Sequence, residues 1–369
     1  MSNYTIGCDA HRHYSQFAVL DSHGALIQQI RINHSSGAIR DFLTDFPPDT
    51  PVALESVGNW YWIVDEIEAA GCVPLLTHAA KAKVMMGNVN KTDKLDAKGL
   101  ATLLHLGSLP TVWIPRSALR DERELHRSRM AFSKMRSSLK NRIQSTLAKY
   151  LLSLDTDSNI FAPKWRADLT KAFSALPAET QRCMLQHLDT LDHIQEQIRT
   201  LERRIKQRVE ATTDMQLLAT LPGVANILSI VIDRESGHVA RFPSSGHFAS
   251  YCGTVPSVKS SGGKIRYGRL RKQSNRYLKW AFRVAPCKGF EAANVVARHR
   301  NHPRWRSKHV TILYERIRRR KGHGVAVGAV ARHLSEAAYW VLRKQEPYKD
   351  PATKLVTQGK GQRVGYMVQ

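Results

Sequence analysis

Two aspartates lie three residues apart at the start of a segment with helical hydrophobic spacing. Asp93 and Asp96 follow Thr92, and leucines recur after them at positions 95, 100, 103 and 104. If this segment is a helix, the two carboxylates share one face and can reach a common cation. Because like charges repel, a hard divalent metal with oxygen ligands is the natural partner for such a pair. The alternative is a solvated helix start, with Thr92 as N-cap and acidic residues favoured by the helix dipole.

Two further carboxylates stand where apolar strands are predicted to end. One strand ends at Asp9 and another ends at Glu55. Because functional sites of α/β sheets gather at the carboxyl ends of strands, we expect both side chains to approach the helical pair. Four converging acids suit two-metal phosphodiester chemistry, in which paired cations clamp the attacking and the leaving oxygen. The expected ion is Mg²⁺ or Mn²⁺.

The elements around these acids predict a mixed α/β sheet. Three strands come first, separated by turn-forming residues, and helices then alternate with strands. The expected strands are residues 4–9, 16–20, 25–32, 51–55 and 72–76, and the expected helices are residues 37–46 and 60–70.

The charge of the chain points to a polyanionic partner. Its 369 residues include 56 Lys and Arg against 31 Asp and Glu, which gives a net charge of +25. Neutralisation of phosphates makes nucleic acid the expected partner. A membrane role is not expected, since the sequence has no run of about 18 apolar residues and no basic-then-apolar leader.

Cysteine and histidine usage argues against other metal chemistry. The five cysteines are scattered without C-x-x-C spacing, which is evidence against a zinc site or a disulfide framework and favours a cytoplasmic protein. The 16 histidines show no ligand spacing, so the sequence assigns none of them to a metal.

Three blocks of the first 115 residues carry a family resemblance. They are Ile-Gly-Cys-Asp-Ala-His-Arg at 6–12, Leu-Glu-Ser-Val-Gly-Asn-Trp-Tyr at 54–61 and Lys-Thr-Asp-Lys-Leu-Asp-Ala-Lys at 91–98. They resemble the signature blocks of the DEDD transposases, the insertion-sequence recombinases of the IS one-ten type, which are related to the Piv DNA invertase. The resemblance implies a RuvC-like RNase H fold, with a divalent metal held by Asp9, Glu55, Asp93 and Asp96.

A helical connector is predicted over residues 116–212. Residues 118–152 read as a long basic helix, typical of a phosphate-tracking surface, with Arg127, Arg136 and Lys140 as candidate nucleic-acid contacts. A second helix, 179–209, carries an apolar seam at spacings of three and four, which indicates a helical hairpin or an intersubunit coiled coil. The resemblance favours a subunit contact, in a homodimer or homotetramer. The seam consists of Leu191, Ile194, Ile198, Leu201 and Ile205.

A smaller, mostly α domain is expected over residues 213–345. Residues 221–224 are similar to a helix-hairpin-helix turn, whose backbone amides bind phosphate. Ala225-Asn226 replaces the usual second glycine, so a helix-packing turn is an equal alternative. The basic run 308–321 is a candidate nucleic-acid face, and 324–343 predicts an amphipathic helix. The basic tail, 346–369, lacks periodicity and is expected to be flexible.

A serine precedes two glycines in this domain. The block Ser-Ser-Gly-Gly-Lys at 260–264 predicts an exposed turn, for which an ordinary Ser/Gly loop is the alternative. The cations expected to hold a phosphate near this turn are Lys264, Arg266, Arg269, Arg271 and Lys272. Tyrosines among these arginines would suit a tyrosine recombinase, but their apolar neighbours favour core positions. These tyrosines are Tyr251, Tyr267 and Tyr277.

The serine block extends the resemblance to the C-terminal domain of the same transposases. Arg-Phe-Pro at 241–243, Tyr-Cys-Gly-Thr-Val-Pro at 251–256 and Asn-Arg-Tyr-Leu-Lys at 275–279 accompany it. In that family a serine of this block is the nucleophile, which points to Ser261, with Ser260 as the less favoured neighbour. Ser274 stands where the family usually has glycine.

The resemblance implies a serine-dependent DNA recombinase that moves an insertion sequence. Its partners would be donor and target DNA duplexes and a structured non-coding guide (bridge) RNA, near the nucleoid of a bacterial or archaeal cell. Two alternatives remain: a RuvC-like, metal-dependent junction-resolving nuclease that uses water, and a non-catalytic RNA- or DNA-binding protein. The intact carboxylates argue against the second alternative.

Overall fold

The chain forms two compact units. A computed structural model describes residues 3–87, 92–154, 159–270, 273–282 and 292–351. The first unit is Met1–Arg116 and the second is Ser117–Gln369. The predicted separation of the second unit into a connector and a C-terminal domain stays a prediction.

The first unit is a five-stranded mixed sheet with helices. The strand order is β3-β2-β1-β4-β5. β1 pairs antiparallel with β2, β2 pairs antiparallel with β3, and the pairs β1–β4 and β4–β5 are parallel. The elements are β1 (Thr5–Ala10), β2 (Tyr14–Leu20), β3 (Leu26–Asn33), α1 (Ala38–Leu43), β4 (Pro51–Glu55), α2 (Trp60–Ala69), β5 (Val73–Thr77), α3 (Ala79–Met86) and α4 (Asp93–His105). The mixed sheet predicted from the sequence is confirmed.

The two faces of this sheet bury different helices. Ile6 and Leu54 pack with α1 and α2 in the larger core. Ala53, one residue earlier on β4, packs with Ala82 of α3 and Leu100 of α4. Because side chains alternate along a strand, the central strands are covered on both faces, which explains their near-continuous apolar sequence.

The second unit is mostly helical. Its elements are α5 (Ser117–Lys149), α6 (Arg166–Ser174), α7 (Ala178–Arg208), α8 (Thr213–Leu218), α9 (Asn226–Ser236), α10 (Ser245–Tyr251), β6 (Pro256–Ser261), β7 (Lys264–Leu270), α11 (Arg276–Phe282), α12 (Ala292–His299), α13 (Pro303–Arg306), α14 (His309–Lys321) and α15 (His323–Lys344). The long basic helix and the terminal amphipathic helix predicted from the sequence are confirmed as α5 and α15. In the part of the chain that the structure describes, no helix is both long and apolar enough to cross a bilayer.

The apolar seam of α7 is buried inside a single chain. α7 packs along α5, and Leu191, Ile194, Ile198 and Ile205 are each at most 8% exposed. Polar contacts join the same helices, since Arg129 bonds Glu202 at 2.6 Å. The seam therefore forms the helical hairpin rather than the subunit contact that the resemblance favoured. The number of subunits stays a prediction.

The turn at Gly223 packs closely against α12. Gly223 has φ +81°, and a Cβ there would lie 3.0 Å from the Cα of Ala292 at the start of α12. Glycine is needed because a side chain would meet this backbone. The turn thus packs against the start of α12, as the helix-packing alternative predicts, and phosphate binding by its amides stays a prediction.

Candidate functional site

Asp9 and Glu55 end neighbouring parallel strands. β1 and β4 pair with Cys8 opposite Leu54, so the two acids leave the sheet at the same edge. Asp9 is 8% exposed, whereas Glu55 is partly exposed. The expectation that strand ends bring acids to one edge is confirmed for this pair.

α4 brings Asp93 and Asp96 over β1. Thr92 caps the helix, because its Oγ1 accepts a hydrogen bond from the amide of Leu95 at 3.3 Å. Both aspartates lie in the first turn. The helix can approach the strand closely because Gly7 has no side chain: a Cβ there would lie 2.6 Å from the amide nitrogen of Ala101.

Asp9, His11 and Asp93 converge. Nε2 of His11 lies 3.0 Å from Oδ2 of Asp9 and 3.4 Å from Oδ1 of Asp93. Among the residues that the structure describes, these three offer ligand atoms that all lie within 4.8 Å of one another. Glu55 and Asp96 do not belong to this tight group. The structure thus brings two of the four predicted acids together and adds a histidine that the sequence did not assign.

The cluster concentrates negative charge. Burial raises the pKa of the Asp9 carboxyl, the neighbouring His11 lowers it, and the charges of Asp96 and Asp93 raise it further. The net shift is upward, so the site favours a proton or another cation at Asp9.

Neighbouring polar contacts fix the cluster in place. The Tyr14 hydroxyl donates to Oδ2 of Asp93 at 2.7 Å, and Gln29 donates to the carbonyl of Lys94 at 3.0 Å. Asn59, just before α2, donates to the backbone carbonyl of His11 at 2.7 Å. β2, β3 and the loop after β4 therefore orient the residues that β1 and α4 supply.

The donor set fits a divalent cation. Octahedral bonds of about 2.1 Å separate adjacent ligand atoms by about 3.0 Å and opposite ones by about 4.2 Å. Nε2 of His11 lies 3.0 and 3.4 Å from one oxygen of Asp9 and of Asp93, close to the distance between adjacent ligands, and the two carboxylates supply the oxygen donors that hard cations prefer. One feature of the sequence could have pointed to His11, namely its position two residues after Asp9.

Ser261 lies at the tip of a two-stranded hairpin. β6 and β7 pair antiparallel, and Ser261 stands opposite Lys264 across a turn of two glycines with φ +55° and +72°. Such positive φ values are required by a type I′ turn, which explains the Gly262-Gly263 pair. Ser261 is exposed, as the sequence predicted.

The two faces of this hairpin differ in chemistry. Ser261 pairs with Lys264 and Lys259 pairs with Arg266, and these pairs share a face because they lie two residues apart. The opposite face carries the pair of Ser260 with Ile265 and that of Val258 with Tyr267. Ser261 is therefore on the cationic face and Ser260 on the apolar one.

The three tyrosines of the alternative mechanism have different surroundings. Tyr251 and Tyr277 pack against the core, as expected. Tyr267 is 69% exposed, so its predicted core position is wrong. The reason is that the described parts of the chain place no third strand beside the hairpin.

The candidate cations of α5 are engaged inside the second unit. Arg127 bonds Glu235 through Nε at 2.8 Å, Arg136 donates to Gln195 at 3.1 Å, and Lys140 lies 4.9 Å from the ring centre of Phe161. Burial lowers the pKa of both Arg136 and Lys140. On the hairpin, by contrast, Lys264, Arg266 and Arg269 are exposed. Arg271 and Lys272 lie outside the described residues.

Glu235 is the centre of a buried polar network. His126 contacts its Oε1 at 2.9 Å, and Asn275 of the Asn-Arg-Tyr block donates to Oε2 at 2.8 Å. Burial alone would raise the pKa of Glu235, but hydrogen bonds from His126 and Arg127 and the charges of Arg123 and Arg127 lower it to about 2. The network joins α5, α9 and the start of α11.

Comparisons with known proteins agree with this architecture. A model of IS110-type DEDD transposases matches residues 6–152, and a model described as the IS116/IS110/IS902 transposase family matches residues 215–309. A "probable family 20 transposase" of Pseudomonas aeruginosa is 23% identical over 278 residues, which cover 74% of this chain and 80% of the relative. The "transposase for insertion sequence element IS1328" of Yersinia enterocolitica is 24% identical over 280 residues, 76% of this chain and 82% of the relative.

The family carries consequences for the fold and the chemistry. A DEDD transposase domain implies a RuvC-like fold, divalent metal use and DNA binding, and the mixed sheet with its acidic cluster agrees with the first two. The two matched regions together span more than half of the chain. This chain belongs to the DEDD transposases of the IS110 type, and it is a DNA transposase of an insertion sequence.

Proposed function

We propose that this transposase cuts and rejoins DNA through Ser261. The observation that supports the proposal best is the two-faced hairpin, in which Ser261 shares a face with Lys259, Lys264 and Arg266. These cations suit a bound phosphate, whereas Ser260 faces the side of Val258, Ile265 and Tyr267.

The proposed step is a transesterification. Oγ of Ser261 forms a bond to phosphorus while the bond from phosphorus to one ester oxygen breaks. The serine proton ends on the released oxygen, so one DNA fragment carries a free hydroxyl and the other a phosphoserine link. Attack by a DNA hydroxyl on this link reverses the step and rejoins strands without an external energy source.

Asp9, Glu55, Asp93 and Asp96 are proposed as holders of a divalent cation, Mg²⁺ or Mn²⁺. When bound, the ion supplies positive charge that stabilises developing charge on phosphate oxygens. The chain's own contribution is to hold the acids together: Gly7 admits α4 against β1, and Tyr14 orients Asp93.

The proposal includes partners. A structured non-coding guide RNA would select donor and target duplexes by base pairing, with the protein contacting backbone and shape, and the enzyme would act as a homodimer or homotetramer. The excess of positive charge, +25, supports nucleic acid as the partner. If recombination proceeds equally well without RNA transcribed from the flanks of the element, the proposal that an RNA guides it is wrong.

End-labelled DNA tests the nucleophile. The full-length protein is expected to give a denaturant-resistant, protein-linked DNA adduct, and Ser261→Ala is expected to remove both adduct and recombinant product. Ser260→Ala and Tyr267→Phe are matched controls on the opposite face and should keep both. Cleavage by Ser261→Ala without an adduct would instead identify a nuclease that uses water.

A further inference from the structure

We infer that His11 is a direct nitrogen ligand of the metal, so that the site binds Mn²⁺ in preference to Mg²⁺. This inference rests on the metal site proposed above. It adds a donor to the four acids of the family motif and predicts which divalent ion the chain selects.

The position of the imidazole supports direct binding. Nε2 of His11 lies 3.0 Å from an oxygen of Asp9 and 3.4 Å from an oxygen of Asp93. Adjacent ligands of one octahedral ion are about 3.0 Å apart when bonds are about 2.1 Å long. The distance from Nε2 to each carboxylate oxygen is therefore close to the distance between two adjacent ligands of one ion.

One contact holds the ring of His11 and another holds its backbone. It stacks on Tyr14, with ring centres 4.7 Å apart and planes inclined by 24°, and Asn59 fixes the backbone carbonyl of His11. The guanidinium of Arg31 lies 3.6 Å from the centre of the Tyr14 ring and restrains the tyrosine. A ligand whose orientation is set before binding loses less conformational freedom on binding.

Tyr14 also determines which oxygen of Asp93 is presented. Its hydroxyl donates to Oδ2, while Oδ1 is the oxygen near His11. A neighbour that bonds one carboxylate oxygen orients the other toward the ion, as outer-shell partners of metal ligands do. Asp93 and His11 therefore face the same point.

A nitrogen donor changes the selectivity of the site. Mg²⁺ prefers oxygen ligands and retains several waters, whereas imidazole is a good ligand of first-row transition ions. Mn²⁺ is the weakest binder of that series, but as a transition ion it accepts an imidazole nitrogen more readily than the harder, strongly hydrated Mg²⁺ does, so an imidazole favours Mn²⁺ over Mg²⁺ relative to an all-oxygen site. Loss of the imidazole should weaken Mn²⁺ binding more than Mg²⁺ binding.

Pulsed electron paramagnetic resonance of the full-length protein with one equivalent of Mn²⁺ tests the inference. The expected spectrum shows hyperfine coupling to one nitrogen-14, which disappears in His11→Gln. We expect His11→Gln to weaken Mn²⁺ binding roughly tenfold or more and Mg²⁺ binding by less than about threefold. His13→Gln is the matched control, since His13 is exposed two residues away and should leave coupling and affinity unchanged.

The outcomes separate this inference from the proposed metal site. If stoichiometric Mn²⁺ binding is lost in Asp9→Asn but the bound ion shows no nitrogen coupling, His11 is a hydrogen-bonding neighbour and the inference is wrong. If the unmodified protein binds no stoichiometric Mn²⁺, or Asp9→Asn binds it equally well, the metal site itself fails. Coupling that persists in His11→Gln would overturn the assignment of the nitrogen.

Discussion

Gly7 of β1 lies against the backbone of Ala97 in α4. A Cβ at Gly7 would meet the carbonyl oxygen of Ala97 and would lie 2.6 Å from the amide nitrogen of Ala101. Because backbone atoms of a helix cannot move aside singly, any side chain at this position must push α4 away from the sheet. The absence of one methyl group therefore sets the distance between Asp9 and Asp93.

We predict that Gly7→Ala weakens the metal site more than it weakens the fold. Overpacking should lower the free energy of unfolding by about 1–3 kcal/mol, and the shift of α4 should reduce Mn²⁺ affinity measured by calorimetry. Gly246→Ala is a control, because a Cβ there meets nothing closer than 3.7 Å. Unchanged affinity in Gly7→Ala would show that α4 is not positioned by this contact.

Asp9→Asn should stabilise the metal-free protein. Its carboxyl is buried beside Asp93 and Asp96, and its pKa is raised, so ionisation of Asp9 opposes folding once the pH exceeds the unfolded-state pKa. Replacement by a neutral amide should raise the melting temperature at neutral pH by about 1–3 °C while abolishing metal binding and activity. Asp45→Asn, at an exposed position, should do neither. A lower melting temperature for Asp9→Asn without metal would contradict the prediction.

Simple rules place the four candidate acids at strand ends and at the start of a helix, and the structure brings two of them, Asp9 and Asp93, into one cluster. Short apolar strands lead to Asp9 and Glu55, and a capped helix starts at Asp93. Parallel pairing of β1 with β4 then requires the strand ends to meet. His11 had no comparable signal, because its position depends on a tyrosine in β2 and on an asparagine 48 residues later.

The second unit was less predictable because its decisive contacts span long sequence separations. Glu235 has the appearance of an ordinary helical acid, yet Arg127, 108 residues earlier, bonds it inside the unit. A charge count assigned Arg127 to a nucleic-acid surface, since a sequence does not reveal which cations have buried partners. Tyr267 was assigned to a core for a related reason: apolar neighbours do not reveal an exposed hairpin.

Glu235→Gln should destabilise the second unit severely. Its side chain is fully buried, and removing its charge leaves buried arginines uncompensated, which costs about 3–5 kcal/mol. The pKa of Glu235 is lowered from the ordinary 4.5 to about 2, so its contribution to stability is present above about pH 4.5 and is lost as the pH falls toward 2. Chemical denaturation across pH 2–7 should show this pH dependence of the free energy of unfolding in the unmodified protein. The same contribution should be missing in Glu235→Gln.

Glu196→Gln is the matched control for that experiment. Glu196 pairs with Arg199 and Arg203 at the exposed surface of α7, so its replacement should cost less than about 1 kcal/mol. An equal decrease in the free energy of unfolding in the two variants would show that the buried network contributes no more to stability than the exposed ion pairs do.

Ile198→Ala should lower stability without changing the mass of the particle. Ile198 is 1% exposed within one chain, and truncating a buried isoleucine costs about 2–4 kcal/mol. Light scattering should give the same mass for the variant as for the unmodified protein, and Arg204→Ala, at an exposed position of α7, should change neither quantity. A smaller mass for Ile198→Ala would show that the seam is a contact between subunits.

The two faces of the β6–β7 hairpin should respond differently to truncation. Lys264 stands directly opposite Ser261, whereas Ile265 stands opposite Ser260 on the other face. If Ser261 attacks a phosphate, Lys264→Ala removes a cation from the reacting face and should slow adduct formation about tenfold or more. Ile265→Ala removes an exposed apolar side chain of the same strand, so the adduct rate should change by less than about threefold, and circular dichroism should confirm that both variants are folded. The comparison uses one end-labelled DNA substrate under single-turnover conditions. A larger effect of Ile265→Ala than of Lys264→Ala would assign the reacting face to Ser260 and overturn the choice of Ser261.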